Sequence, residues 1–391
     1  MAAKQADDRE LDLVLFGATG FTGRLTAAYL ARHAPGDLRW ALAGRNADRL
    51  AEVRDGLPTG AAPAPEVVVA DATDEPSLEA LAARTRLVVT TVGPFLRHGE
   101  ALVQACAAAG TDYVDSTGEP EFVDGVWLRH HAAAEASGAR IVHACGFDSI
   151  PHDLGVRFAV GHLPDDVPIT ARGVVRAAAV SSSGTLHSAL EQFSRARSMG
   201  ATHKERRAAE GRPQGRRVRG VAGKPHRDRD LGYWLLPLPT IDPMIVVRSA
   251  AADPAYGPDF RYSHYAGTKT LRYAAGGAVA VGGLALAAQV GPVRRALLGR
   301  FGSGQGPDER RRERSWFTVD VVAEGGGRTV HARVSGGDPG YTETAKMLAE
   351  SALCLLLDDN PPTAGMVTTA QAMGEHLTDR LQRAGITFEV L

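Results

Sequence analysis

Seven residues near the start of the chain, Gly17-Ala18-Thr19-Gly20-Phe21-Thr22-Gly23, carry its most specific chemical signal. They follow an apolar run, Leu11–Phe16, and precede a stretch of helical period, so the glycines fall in a strand-to-helix turn. Such a turn aims backbone amides and the positive end of a helix dipole at an anion. Glycine is needed there for the tight turn, for close approach of backbone to a pyrophosphate, and for packing of helix on strand. The spacing is G-x-x-G-x-x-G, and its register with strand and helix reads as a dinucleotide cradle formed by Gly17, Thr19, Gly20, Phe21, Thr22 and Gly23.

Cofactor choice is set about twenty residues further on, at the end of the second strand. A carboxylate at that corner would hold a free ribose 2′-hydroxyl, whereas an arginine accepts a 2′-phosphate; the residues are Gly44-Arg45-Asn46, which predicts NADP(H). Asp71 closes the third strand and either accepts an adenine amino hydrogen or caps the next helix. Gly93-Pro94 follows the fourth strand at the carboxyl edge of the sheet, where the nicotinamide half would lie. Gly118 and Glu119 follow the fifth, and Glu119 either orients a ribose or satisfies backbone donors.

Reactive groups concentrate in Gly146-Phe147-Asp148-Ser149-Ile150-Pro151-His152-Asp153. The segment opens a helix, so its amides and the Ser149 hydroxyl are placed to bind an oxyanion or a thioester carbonyl; the alternative is simple capping by Asp148 or Ser149. Asp148, Ser149 and His152 are the catalytic candidates, His152 being the side chain there that titrates near neutrality. No Ser-His-Asp order, H-E-x-x-H or paired-carboxylate pattern is present, and Cys106, Cys145 and Cys354 lack metal-site or disulfide spacing, so no metal is expected. Hydride transfer needs positioning more than a nucleophile.

The elements that must hold these groups follow from the alternation of short apolar runs with alanine-rich helical stretches. Strands are expected at Leu11–Phe16, Arg39–Ala43, Glu66–Ala70, Leu87–Thr91, Tyr113–Ser116 and Arg140–Ala144, with helices near 22–33, 46–55, 76–83, 98–109 and 124–137. The fold class is therefore α/β, a Rossmann-type doubly wound parallel sheet over residues 1–155. Beyond Pro151 the pattern becomes irregular, and residues 156–344 read as a second, α+β substrate domain on a mixed or antiparallel sheet. Its strands are expected at Ile169–Ala177, Leu235–Leu238, Ile245–Ser249 and Phe317–Val322, with a hairpin joining Phe317–Ala323 to Thr329–Ser335 through Gly325-Gly326-Gly327. Helices at Thr342–Leu357 and Val367–Ala384 are expected to return residues 345–391 to the first domain.

A chain of 391 residues, 44% hydrophobic and 23% charged, buries a large core and excludes disordered and fibrous classes. Lysine plus arginine number 44 against 45 acidic residues, which argues against a dedicated nucleic-acid binder. The charged start, Met1–Asp12, is unlike a signal peptide, and a cytoplasmic location is expected. Two segments depart from the average. Residues 194–230 are crowded with arginine and read as a solvated basic loop. Residues 273–293 carry no charge and read either as a buried helix or as a peripheral membrane contact.

The run Gly17–Gly23, Ala43-Gly44-Arg45, Gly93-Pro94-Phe95, Tyr113-Val114-Asp115 and Gly118-Glu119 resembles the saccharopine dehydrogenase-like NADP-binding family. Within it, His143–Ser149, Asp338-Pro339-Gly340-Tyr341 and Ala372-Met373-Gly374 resemble the trans-acting enoyl reductase branch. The resemblance implies NADPH and an inserted substrate domain. It also implies reduction of a carbon–carbon double bond on a polyketide or lipid acyl thioester presented by the carrier of a separate synthase, which the basic stretch 195–229 would dock. Two other readings stay open: an imine reductase using Arg172 and Arg176 on substrate carboxylates, and a non-catalytic NADP-binding protein held at a lipid surface by 273–293. No feature of the sequence fixes an oligomeric state.

Overall fold

The computed structural model describes residues 9–178, 190, 192–300 and 306–391. Leu11–Phe16 (β1) is buried at every position, as a strand covered on both faces must be. It lies between Trp40–Gly44 (β2) and Thr85–Thr90 (β4), with Glu66–Val69 (β3) outside β2, and Asp112–Asp115 (β5) and Arg140–Val142 (β6) outside β4. All of these pairings are parallel. The resulting order, β3-β2-β1-β4-β5-β6, reverses direction between β1 and β4, and this switch point puts the turns after both strands at one carboxyl edge.

A second sheet begins with Ile169–Ala178 (β7) and continues through Arg217–Gly220 (β8), His226–Arg227 (β9), Trp234–Pro237 (β10), Asp259–Thr268 (β11), Trp316–Gly325 (β12) and Arg328–Gly336 (β13). It is mixed: β11 pairs parallel with β7 and β8, while β12 runs antiparallel to β7 and β13. The β12–β13 hairpin turns at Gly326 and Gly327, whose φ values of 57° and 74° suit glycine. The helix Ile150–Val160 packs on β12 and β13, and a Cβ on Gly155 would stand 2.9 Å from Val334 Cγ2. Glycine is what lets this helix approach the sheet so closely.

The chain divides into two compact units, one of residues 1–117, 125–146 and 344–377, the other of 118–124, 147–343 and 378–391. Five strands were missed by sequence reasoning: β8, β9 and the ten-residue β11 of the second sheet, and two short ones near the C-terminus. Gly365–Val367 (β14) adds a seventh parallel strand beside β6, and Thr387–Val390 (β15) pairs with β13. Residues 378–391, expected in the first unit, thus belong to the second. The expected helix Val367–Ala384 is broken into Thr369–Ala372 and Gly374–Arg383, the break falling at Gly374, whose φ is +48°.

Three further expectations are corrected. Ile245–Ser249, read as a strand and opening on three β-branched residues, lies in the helix Asp242–Ala252, where Pro243 suits the first turn and an alanine run continues the helix. The basic stretch 194–230 is not a solvated loop: Ala196–Glu210 is helical, and β8 and β9 add to the sheet. Its arginines are drawn in by carboxylates, Arg195 making two bonds of 2.7 Å to Glu121 and buried Arg206 bonding Asp124. The apolar segment forms the helix Leu271–Gln289, but its wall is not core, since Val279 and Leu286 are 75% and 73% exposed.

Candidate functional site

The turn after β1 has the geometry of an anion cradle. Gly17 has φ of +90°, and a Cβ there would meet Val92 Cγ2 at 2.7 Å and Thr91 Oγ1 at 2.8 Å. Gly20 is the N-cap of the helix Phe21–His33, and its amide donates to Gly17 O at 3.0 Å. The wall-side glycines are filled by protein, whereas a Cβ on Gly20 would meet nothing closer than 3.4 Å. Thr19, Phe21 and Thr22 complete the turn and the first helical residues, at the positive end of the helix dipole. The residues present fit a pyrophosphate.

The other cofactor candidates of the first unit sit on the same edge of its sheet. Arg45 is exposed directly after β2, and Asn46 caps the helix Ala47–Asp55 by accepting from Arg49 N at 2.9 Å. Asp71 does not cap the next helix, the N-cap being Asp74. It closes a local turn in which Thr73 N and Oγ1 both donate to Asp71 Oδ1 at 2.9 Å. These bonds, with a lesser attraction from Arg45, hold its carboxyl below the usual range. A positive and a negative side chain therefore face each other across the ends of β2 and β3. Gly93 is exposed after β4, and Pro94 caps the short helix Phe95–His98.

Gly118, Glu119, Asp148, Ser149 and His152 lie in the second unit. Gly118 O accepts from Gln192 Nε2 at 2.7 Å, and a Cβ on Gly118 would stand 3.2 Å from Asp148 Oδ2, so glycine lets the two loops meet. Glu119 is buried. Ser149 is the N-cap of Ile150–Val160, yet its side chain makes no capping bond and its Oγ, fully buried, has no hydrogen-bond partner among the described residues. Burial, reinforced by the nearby Asp242 carboxylate, pushes the Asp148 carboxyl up to about 7.

His152 is grouped with two residues that sequence reasoning missed, Asp242 at the start of its helix and His264 on β11. His152 Nδ1 lies 2.7 Å from Asp242 Oδ1, and His264 Nε2 lies 3.6 Å from Asp242 Oδ2. The imidazole rings meet edge to face, centroids 4.7 Å apart. Thr240 Oγ1 donates to Asp242 Oδ2, and Tyr262 Oη lies 3.1 Å from His264 Nδ1. Burial holds the His264 imidazole down to about 4, so it is neutral. The partners come from distant stretches of sequence, and no linear spacing announces them. The arginines weighed for substrate carboxylates are occupied: Arg172 is bound by Asp228, Asp230 and Glu324, and Arg176 lies 4.2 Å over the Tyr233 ring.

Comparison with known proteins places these features in a family. Residues 13–142 match the saccharopine dehydrogenase NADP-binding domain. A protein named trans-acting enoyl reductase from Mycobacterium bovis is 35% identical, the match covering 97% of each chain. One of the same name from Mycobacterium ulcerans is 36% identical, with 97% of each covered. Among solved structures, saccharopine dehydrogenase (L-Glu forming) from Saccharomyces cerevisiae shares the fold at a TM-score of 0.56 and 12% identity, covering 97% of this chain and 100% of its own. The glycine cradle, the Arg45 corner and the full-length identity lead to one conclusion: the chain is an NADP-dependent oxidoreductase of the saccharopine dehydrogenase-like family, in the branch of the trans-acting enoyl reductases.

Proposed function

We propose that this protein reduces a carbon–carbon double bond of a polyketide or lipid acyl thioester presented by the carrier of a separate synthase. The observation that carries the reading is identity over nearly the whole chain to proteins named for that activity. NADPH, when bound, supplies the hydride. What the protein must add is a set of donors for the enolate and a proton for the neighbouring carbon. Ser149 takes the first role, because its buried Oγ has no other partner among the described residues. Asp148, on the same turn, is its acid–base group, and His152, in the helix that follows, is a positioning group.

The carrier docks on the outer side of the helix Ala196–Glu210, where Arg197, Lys204 and Arg207 remain exposed after Arg195 and Arg206 have been taken by Glu121 and Asp124. The enzyme works in the cytoplasm, with the helix Leu271–Gln289 against a membrane surface. That helix turns Val279 and Leu286 outward and is bracketed by Lys269, Arg272, Arg294 and Arg295, a pattern suited to an anionic bilayer.

The test is NADPH oxidation with a panel of α,β-unsaturated acyl thioesters, free and carrier-bound. Turnover of the carrier-bound members is expected, and Ser149→Ala should lower kcat by about 100- to 1000-fold, as removal of an oxyanion donor does. Tight NADPH binding without turnover of any enoyl substrate would defeat the proposal.

A further inference from the structure

We propose that His152, Asp242 and His264 form a binding site for a divalent transition metal of the zinc class, inside the second unit. The three side chains come from a helix, the start of another helix and a strand, and are 2%, 3% and 5% exposed. One donor atom from each falls within a group whose members all lie within 4.8 Å of one another.

The detail of the contacts favours a cation over a chain of hydrogen bonds. His152 Nδ1 and Asp242 Oδ1, both buried, stand 2.7 Å apart, and the other ring nitrogen, His152 Nε2, has no hydrogen-bond partner among the described residues. His264 Nε2 also lacks one. Leaving a buried polar atom unsatisfied costs about 1–3 kcal/mol, and a single cation would engage His264 Nε2, Asp242 Oδ1 and one nitrogen of His152.

The outer atoms of the ligands are held in a complementary way. Thr240 bonds Asp242 Oδ2 and leaves Oδ1 turned to the cluster. Tyr262 engages His264 Nδ1 and leaves Nε2 turned to it. Gly173, the β7 partner of His264, makes the room: a Cβ there would fall 2.3 Å from Tyr262 Oη. Two of the three ligands are thus oriented from behind, as the ligands of a metal site are. Two imidazoles and one carboxylate suit zinc, iron or copper rather than the all-oxygen preference of magnesium and calcium. Tetrahedral zinc would keep one further position for water. The burial of all three ligands makes the ion a pin joining the helices 150–160 and 242–252 to β11. The site does not depend on the enoyl reductase reading.

The experiment strips the full-length protein with a chelator and titrates it with cobalt(II), following visible absorbance, then with zinc(II), following the thermal midpoint. The expected result is a stoichiometric cobalt spectrum that zinc displaces, a midpoint raised by zinc, and loss of both in His264→Ala and in Asp242→Asn. Tyr262→Phe should keep the spectrum but weaken affinity by about 10- to 100-fold, as removal of a group behind a ligand does. A wild-type protein with neither spectrum nor zinc-dependent midpoint overturns the site, and so does a spectrum that survives in both ligand variants. The wild-type arm decides the matter even if the variants fail to fold.

Discussion

A Cβ placed on Gly23 would lie 2.3 Å from the carbonyl oxygen of Gly17 and 2.9 Å from Ala18 Cα, so the first turn of the helix rests directly on the backbone of the cradle. Gly23→Ala must push the two apart, and overpacking of this kind costs about 1–3 kcal/mol. Gly20→Ala meets nothing nearer than 3.4 Å, and its methyl would occupy space on the phosphate side. The two variants should therefore separate. Gly23→Ala should lower both the thermal midpoint and NADPH affinity, while Gly20→Ala should lower affinity alone. A Gly20→Ala protein that binds NADPH like wild type removes Gly20 from the site.

Arg45 and Asp71 make the second comparison. The arginine stands exposed at the end of β2 and acts on the Asp71 carboxylate at the end of β3, the corner where a 2′-phosphate would be read. A hydrogen bond to a charged group contributes about 1.5–3 kcal/mol. Arg45→Glu should thus raise KM for NADPH by roughly 10- to 100-fold, while KM for NADH falls or holds. Steady-state kinetics with both cofactors measures it, and unchanged selectivity would assign phosphate recognition elsewhere.

In the second sheet, Asp320 on β12 is buried and accepts from His331 Nε2 at 3.0 Å and Arg333 Nε at 2.9 Å across the hairpin. Burial alone would raise its carboxyl, but the hydrogen bonds from His331 and Arg333 and the Arg333 charge outweigh it and hold it below the ordinary range. A carboxyl depressed in the folded state stabilises above its unfolded value, and that contribution is lost as pH falls through the folded one. Asp320→Asn leaves the half-buried Arg333 guanidinium facing a neutral amide, and losing a hydrogen bond to a charged group costs about 1.5–3 kcal/mol. Urea unfolding should show this loss at neutral pH, shrinking as pH falls below the ordinary carboxylate range and the wild-type carboxyl itself protonates.

These relationships differ in how far the sequence announces them. The cradle was legible because its chemistry is local: Gly17 to Gly23 form one strand–turn–helix, and the same continuity made β1 to β6 readable. What was not legible depends on partners distant in the chain. Arg206 reads as one more charge in a basic run until Asp124 buries it. His152 reads as a lone histidine until the fold brings Asp242 and His264 to it. Ile245 and Val246 look like strand residues, and only the buried face of their helix shows why the β-branched pair is there. β15 is a short strand that exists because β13 offers it an edge.

The helix Leu271–Gln289 supplies the last prediction. Residues 272, 275, 276, 279, 282, 283 and 286 recur at helical spacing and are exposed, whereas Ala288 faces inward and Gly277 sits near Leu236. The outward stripe is thus small or apolar apart from Arg272 at its start, and a contiguous apolar patch of this kind on a soluble protein marks an interaction surface. Because the opposite side of the helix is held by the sheet, it should lie along a bilayer rather than cross it. Flotation with vesicles of phosphatidylglycerol and phosphatidylcholine should recover the protein at low salt and less of it at high salt, since basic flanks contribute about 1 kcal/mol per charge near an anionic surface. Val279→Glu together with Leu286→Glu should abolish flotation without changing the thermal midpoint, because neither side chain packs on the body of the unit. If instead the doubly substituted protein floats as wild type does, or wild type stays with the soluble fraction at low salt, the apolar stripe has a different partner, and a second copy of the chain would then show as a concentration-dependent dimer in sedimentation.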